Sequence, residues 1–164
     1  MAGTVSPIPQ GYHSVSPALT CKDAAKAIDF YREAFGATEI MRMAGPGGSI
    51  GHAELRIGDS VIFVSDEFPG MSAAPAPGVM PSSYLFLYTN DVDETFKRAL
   101  AAGATVSMPV ADMFWGDRYG KLTDPFGHSW GVATHVEDVA PAEMERRAAE
   151  WTANMAKAAA AGAQ

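Results

Sequence analysis

The residues best placed for chemistry by type and spacing are His52 and Glu54. A separation of two on an extended strand puts both side chains on one face, where an imidazole beside a carboxylate can act as a general acid–base pair. Arg56 continues that face. The same pattern of charged residues alternating with apolar ones is also how an ordinary half-exposed strand looks, with the two groups forming a solvated ion pair. The other histidines are dispersed: His13 near the start of the chain, His128 in a turn, and His135 at the end of a run where it can reach a rim. A second cluster is Trp115-Gly116-Asp117-Arg118-Tyr119. There an indole can stack on a flat ligand while Arg118 makes a planar fork with a ligand carboxylate. Alternatively Asp117 and Arg118 pair with each other and only order the turn. The lone Cys21 has no disulfide partner and reads as a small buried hydrophobe. The segment 45–48 is glycine-rich but lacks the Lys-Ser/Thr that follows in a phosphate loop, and reads as a hairpin turn.

The elements that must carry these residues occur twice. In residues 15–43 a short extended run is followed by Asp23, an amphipathic stretch (Ala24, Ala27, Ile28, Tyr31, Phe35), Gly36 and a second extended run. Residues 83–110 repeat the order with Asp91 as N-cap, Glu94 completing a capping box, Val92, Phe96, Ala99 and Leu100 as the apolar stripe, and Gly103 as the stop. Gly36-Ala37-Thr38 returns as Gly103-Ala104-Thr105, 67 positions on, and Asp23 returns as Asp91, 68 on, so one residue is lost inside the helix. Each half continues with two more extended segments, 49–57 and 60–65, then 118–123 and 128–135, joined by Gly58-Asp59 and by Asp124-Pro125-Phe126-Gly127. The spacing therefore predicts an α+β chain of two tandem βαβββ modules, at about 12–67 and 83–136, with a Pro/Gly/Ala/Met-rich linker over 68–82. Residues 1–136 form one domain, and 137–164 add a C-terminal helix that Pro141 opens and a Glu143–Arg147 pair supports. The last few residues should fray.

A tandem of such modules resembles the vicinal oxygen chelate superfamily, which includes glyoxalase I, extradiol dioxygenases, fosfomycin-modifying enzymes and bleomycin-resistance binding proteins. The resemblance covers about residues 12–136. Its most specific parts are Asp23 to Tyr31 followed by Phe35-Gly36, and Trp115-Gly-Asp-Arg-Tyr119 leading to Asp124-Pro-Phe-Gly-His-Ser-Trp130, which is similar to the PhnB-like branch. The resemblance implies a curved mixed sheet around a cavity, and a homodimer, because dimers commonly complete the cavities of this superfamily. It places metal ligands on the first and last strand of each module, which here are Ser16, Phe63, Tyr84 and Gly131. None of these is a His, Asp or Glu, so no metal and no cofactor is expected.

If those positions face a cavity, alternation adds Val61, Ser65, Phe86, Tyr88, Ser129 and Ala133 to its wall, with Met108, Met113, Phe114, Trp115 and Tyr119 nearby. Such a wall of flat rings and flexible thioethers suits a planar aromatic ligand. The plain alternative is that these side chains pack the sheet against helices or a second subunit. The expected ligand-binding set is Ser16, Phe63, Tyr84, Phe86, Trp115, Arg118 and Gly131.

Two functions follow. One is a metal-free small-molecule-binding protein of the bleomycin-resistance type, sequestering an aromatic or amphipathic ligand. The other is a glyoxalase-like enzyme, a lyase, isomerase or dioxygenase, acting on a small oxygenated substrate through His52 and Glu54 or through non-standard metal ligands. The 164 residues carry 19 acidic against 12 basic side chains, a net charge of −7, which argues against a nucleic-acid partner. No apolar run approaches a membrane span and the first ten residues lack a signal-peptide pattern, so a cytoplasmic protein with no membrane partner is expected.

Overall fold

A computed structural model describes residues 5–161. Local chemistry starts each helix where the sequence places it. The Asp23 carboxylate accepts from the Lys26 amide at 3.1 Å to open α1 (Ala24–Phe35), and Asp91 accepts from the Glu94 amide at 2.9 Å to open α2 (Val92–Ala101). The expected capping box is only half formed, since Glu94 turns toward Lys97. Gly36 closes α1 in the left-handed region at φ 69°, where a Cβ would be strained. Leu100, expected in the apolar stripe of α2, is exposed, and Thr95 is buried in its place. The stripe runs Val92, Thr95, Phe96, Ala99, and the Thr95 hydroxyl satisfies itself by donating to the Asp91 carbonyl at 2.8 Å.

Module 1 adds β1 (Ala18–Cys21), β2 (Thr38–Ala44), β3 (Ile50–Ile57) and β4 (Ser60–Asp66), and module 2 adds β5 (Leu85–Tyr88), β6 (Thr105–Asp112), β7 (Asp117–Thr123) and β8 (Ser129–His135). Strand order is β1-β4-β3-β2 in one sheet and β5-β8-β7-β6 in the other, with the first pair of each parallel and the rest antiparallel. The chain is thus α+β with two tandem βαβββ modules and a C-terminal helix, α3 (Pro141–Ala161). The β-structure is two separate mixed sheets and closes no barrel. The expected fray falls on residues 162–164, outside the described ones, and so does the start of the chain, 1–4.

The repeat is carried by register as well as pattern. Ala18 pairs with Phe63 as Phe86 pairs with Gly131, both 68 residues on. The helix starts are anchored by equivalent side chains: Asp66 accepts from the Ala24 amide at 2.8 Å, and Thr134, also 68 on, accepts from the Val92 amide at 2.8 Å. Asp66 also accepts from the Ile50 amide at 2.7 Å.

One core joins the modules. Ile28 and Leu55 of module 1 are buried in the same apolar cluster as Phe96, Leu122 and Trp130 of module 2. Phe35 stacks obliquely on Trp130 with ring centroids 4.6 Å apart, and Tyr31 lies 5.4 Å from the same indole. At the centre the buried Asp124 carboxylate accepts from the Tyr31 hydroxyl at 2.8 Å, from Trp130 Nε1 at 3.0 Å, and from the Phe126 and His128 amides at 2.9 Å each. Beside it, Cys21 is fully buried and its thiol is pushed up to about 12, by burial first and then by the Asp124 charge.

Candidate functional site

Alternation gives each sheet one face packed on the helices and one left open. Leu19, Cys21, Ala53, Leu55, Ile57, Ile62 and Val64 are buried on the helix side of the module 1 sheet. Its open face carries His52 and Glu54 on β3, paired across to Met43 and Met41 on β2, and Glu54 is paired to Phe63 on β4. His52 Nε2 lies 3.2 Å from Glu54 Oε1, and the His52 ring is 5.1 Å from the Phe63 ring. Both expected acid–base residues are therefore side by side. Their third partner carries no signal at the level of spacing: Tyr12, ahead of β1, donates its hydroxyl to Glu54 Oε2. That hydrogen bond, with His52 adding to it, holds the Glu54 carboxyl below its ordinary range, and the same contact raises the Tyr12 phenol. A carboxylate stabilised in this way is a weaker base.

The open face of module 2 is aromatic. Tyr84, just ahead of β5, and Phe86 and Tyr88 on it form a row with successive centroids 6.4 and 5.0 Å apart, exposed by 49%, 43% and 61%. Tyr119 of β7 stacks on Phe86 at 5.4 Å with planes 7° apart, and Trp115 meets Tyr119 edge-on at 5.9 Å. Gly131 makes this packing possible, because a Cβ there would lie 2.9 Å from the Tyr119 ring and 3.1 Å from the Tyr84 ring. Burial, with Tyr84 next to it, pushes the Tyr119 phenol up to about 12. Lys121 stands over the Tyr84 ring at 4.2 Å.

The row is oriented by one buried carboxylate. Asp117 Oδ2 accepts from Trp115 Nε1 at 3.0 Å and from the Tyr88 hydroxyl at 3.1 Å, while Oδ1 lies 2.8 Å from His135 Nδ1. His135 Nε2 is 3.0 Å from Asp138, so both ring nitrogens face carboxylates, Asp117 first, and the imidazole is held above its ordinary value. Asp117 does not pair with Arg118. Adjacent residues of a strand point to opposite faces, and Arg118 lies on the helix side, where it forks onto Asp93 of α2 at 2.7 and 2.8 Å and reaches Asp112 at 3.0 Å. Arg118 thus points to the opposite side of the sheet from Asp117 and Tyr119, and period-2 alternation from Tyr119 is the signal that separates them. His128 serves the module interface through the Thr20 carbonyl at 3.1 Å, and His13 is exposed beside Asp59.

Of the positions where the resemblance places metal ligands, Ser16 and Phe63 belong to module 1 and Tyr84 and Gly131 to module 2. Phe63 and Gly131 bring no side-chain donor, and two tyrosine rings close over Gly131. A divalent ion does not fit this set. Among the described residues no group of three or more His, Cys, Asp and Glu is arranged to hold a metal ion.

Two tandem βαβββ modules, each with one sheet face packed on helices and the other open, define the class of fold. The chain belongs to the glyoxalase/bleomycin resistance protein/dioxygenase superfamily, whose model matches residues 13–132. It is similar to an uncharacterised protein of Mycobacterium bovis, 44% identical over 137 residues that cover 80% of this chain and 90% of the relative. Among solved structures it is similar to TioX from Micromonospora, at 29% identity and a TM-score of 0.59, covering 75% of this chain and all of that one. It shares its fold with the PhnB protein of Bacillus cereus, at 18% identity and a TM-score of 0.60, covering 74% and 99%.

Proposed function

We propose that this protein binds an aromatic or amphipathic small molecule on the open face of module 2 without a metal and without a covalent step. The observation that carries this reading is the replacement of ligand chemistry by rings: at the mapped positions Tyr84 and Gly131, where donors would be needed, the chain supplies a stacking surface of Tyr84, Phe86 and Tyr119. Such a surface gives affinity through burial and stacking, and Asp117 fixes Trp115 beforehand so that little order is lost on binding. The same exposed row, together with Met41 and Met43 on module 1, supports a homodimer in which open faces are covered. A cytoplasmic location completes the reading; no helix of the described residues is long and apolar enough to cross a membrane.

Tryptophan fluorescence tests the binding reading. Trp130 is buried in the core and Trp151 lies on α3 against Phe114, so Trp115 is the reporter on this face, and titration with a broad panel of aromatic compounds is expected to quench or shift emission in the wild type and not in Trp115→Phe. No response from folded protein across the panel overturns it. A near-stoichiometric Ni, Zn, Fe or Mn in protein purified without chelator overturns the metal-free part.

The His52–Glu54 pair supports a second reading, a glyoxalase-like enzyme acting on a small oxygenated substrate. Turnover abolished by His52→Ala or Glu54→Ala with folding retained is its required result. The lowered Glu54 carboxyl, already accepting from Tyr12, makes it the lesser reading.

A further inference from the structure

Next to the aromatic row the linker leaves a cleft of about 670 Å³ against the end of the module 2 sheet. Its wall joins the apolar Met80 of the linker and Phe126 of the second hairpin to the hydroxyls of Ser107 and Thr123, which bond each other at 2.9 Å, and to two ammonium groups, Lys22 and Lys121. Two ammonium groups in one cleft stand out in a chain of net charge −7. Among the described residues, the lysine ion pairs are Lys26–Asp23 and Lys97–Glu94, so neither Lys22 nor Lys121 has a carboxylate partner. The carboxylates in the same wall are engaged elsewhere. Asp23 holds Lys26 and the start of α1, and Asp124, though charged, is buried with both oxygens turned to four neutral donors of the core and the turn. Lys121 spans both surfaces, since it lines the cleft and stands over the Tyr84 ring.

We infer that this cleft receives the acidic group of the ligand, a carboxylate or sulfonate on an aromatic body, with Lys22 and Lys121 as its counter-charges and the rings of Tyr84 and Phe86 as its platform. The inference rests on the aromatic-face reading above and narrows its ligand to aromatic anions. Two unpaired ammonium groups beside an apolar wall select such a molecule over a neutral or cationic analogue, because an anion is the one ligand that repays their desolvation.

Two dyes separate the possibilities: anilinonaphthalene sulfonate, and uncharged phenylnaphthylamine, which lacks the sulfonate. The anionic dye is expected to bind the full chain about tenfold more tightly. Its affinity should fall by about the same factor in Lys22→Gln and in Lys121→Gln, persist in Lys121→Arg, and weaken as salt is raised, while the neutral dye is indifferent to all four. Equal binding of the two dyes, or indifference of the anionic one to both lysine changes, overturns the acidic-ligand assignment and leaves the aromatic-face reading standing. Lysine-dependent binding unaffected by Phe86→Ala does the opposite. Failure of both dyes to bind overturns both.

Discussion

Asp124 shows how much one side chain decides in this molecule. Both of its oxygens accept two hydrogen bonds, Oδ2 from Tyr31 and Trp130 and Oδ1 from two amides, in a site almost closed to water. Asp124→Ala leaves the indole N–H and the phenol unpaired in the core, at about 1–3 kcal/mol for each orphaned group. Asp124→Asn should be nearly as harmful, because its amide nitrogen sets a donor against two donors that formerly shared an oxygen. Urea unfolding is expected to show a loss of about 3 kcal/mol or more for both variants; an Asn variant as stable as the wild type would show that the carboxylate's second acceptor is dispensable. His135 gives a residue-scale prediction with a pH signature. Its folded pKa is raised above 6.5 by Asp117 and then Asp138, so its contribution is fully present below 6.5 and is lost as pH rises through the higher folded value. The stability difference between wild type and His135→Gln should shrink as pH is raised above 6.5, and a difference that grows with pH contradicts the assignment.

At the scale of elements, α3 is a strap whose fastening is ionic. Arg147 forks onto Glu137 at 2.7 and 2.8 Å and holds Glu143 at 2.7 Å, and Trp151 leans on Phe114 at 5.7 Å. Arg146 and Arg147 lower the Glu143 carboxyl to about 2, so its contribution stands above the ordinary 4.5 and is lost as pH falls toward 2. Arg147→Ala is expected to speed amide exchange over residues 141–150 at neutral pH while β7 and β8 stay protected, and acid should produce the same pattern in the wild type. Uniform exchange rates in the two proteins sink the strap. The helix itself was legible in Pro141 and the Glu143–Arg147 spacing, as were both βαβββ modules, because caps, turn glycines and apolar periods act within a few residues. The partners that complete the candidate site were not. Tyr12 reaches Glu54 across 42 residues, Asp117 meets His135 through strand register, and Asp124 finds Tyr31 in the other module. Arg118, expected among the ligand groups, stands on the helix side of β7, where Asp93 of α2 holds it across 25 residues.

For the whole molecule, the division of labour between faces bears on assembly. The helix sides of both sheets are spent on a common core, and the open faces keep exposed apolar side chains: Tyr84, Phe86 and Tyr88 on one, Met41 and Met43 on the other. A monomer with rings in water on one module and thioethers on the other carries the kind of surface that association covers. The high negative charge opposes association only over longer distances and is screened by salt, whereas burial of these groups acts at contact. Sedimentation equilibrium is therefore expected to give a mass of two 17.3 kDa chains, with association strengthened by salt. Met43→Glu should shift the equilibrium toward monomer, since a carboxylate at 55% exposure costs little in the single chain and must be desolvated in a covered face. Wild-type protein that stays monomeric at all concentrations overturns the dimer. A dimer unmoved by Met43→Glu places the contact elsewhere, and the open faces would then be free to serve the ligand alone.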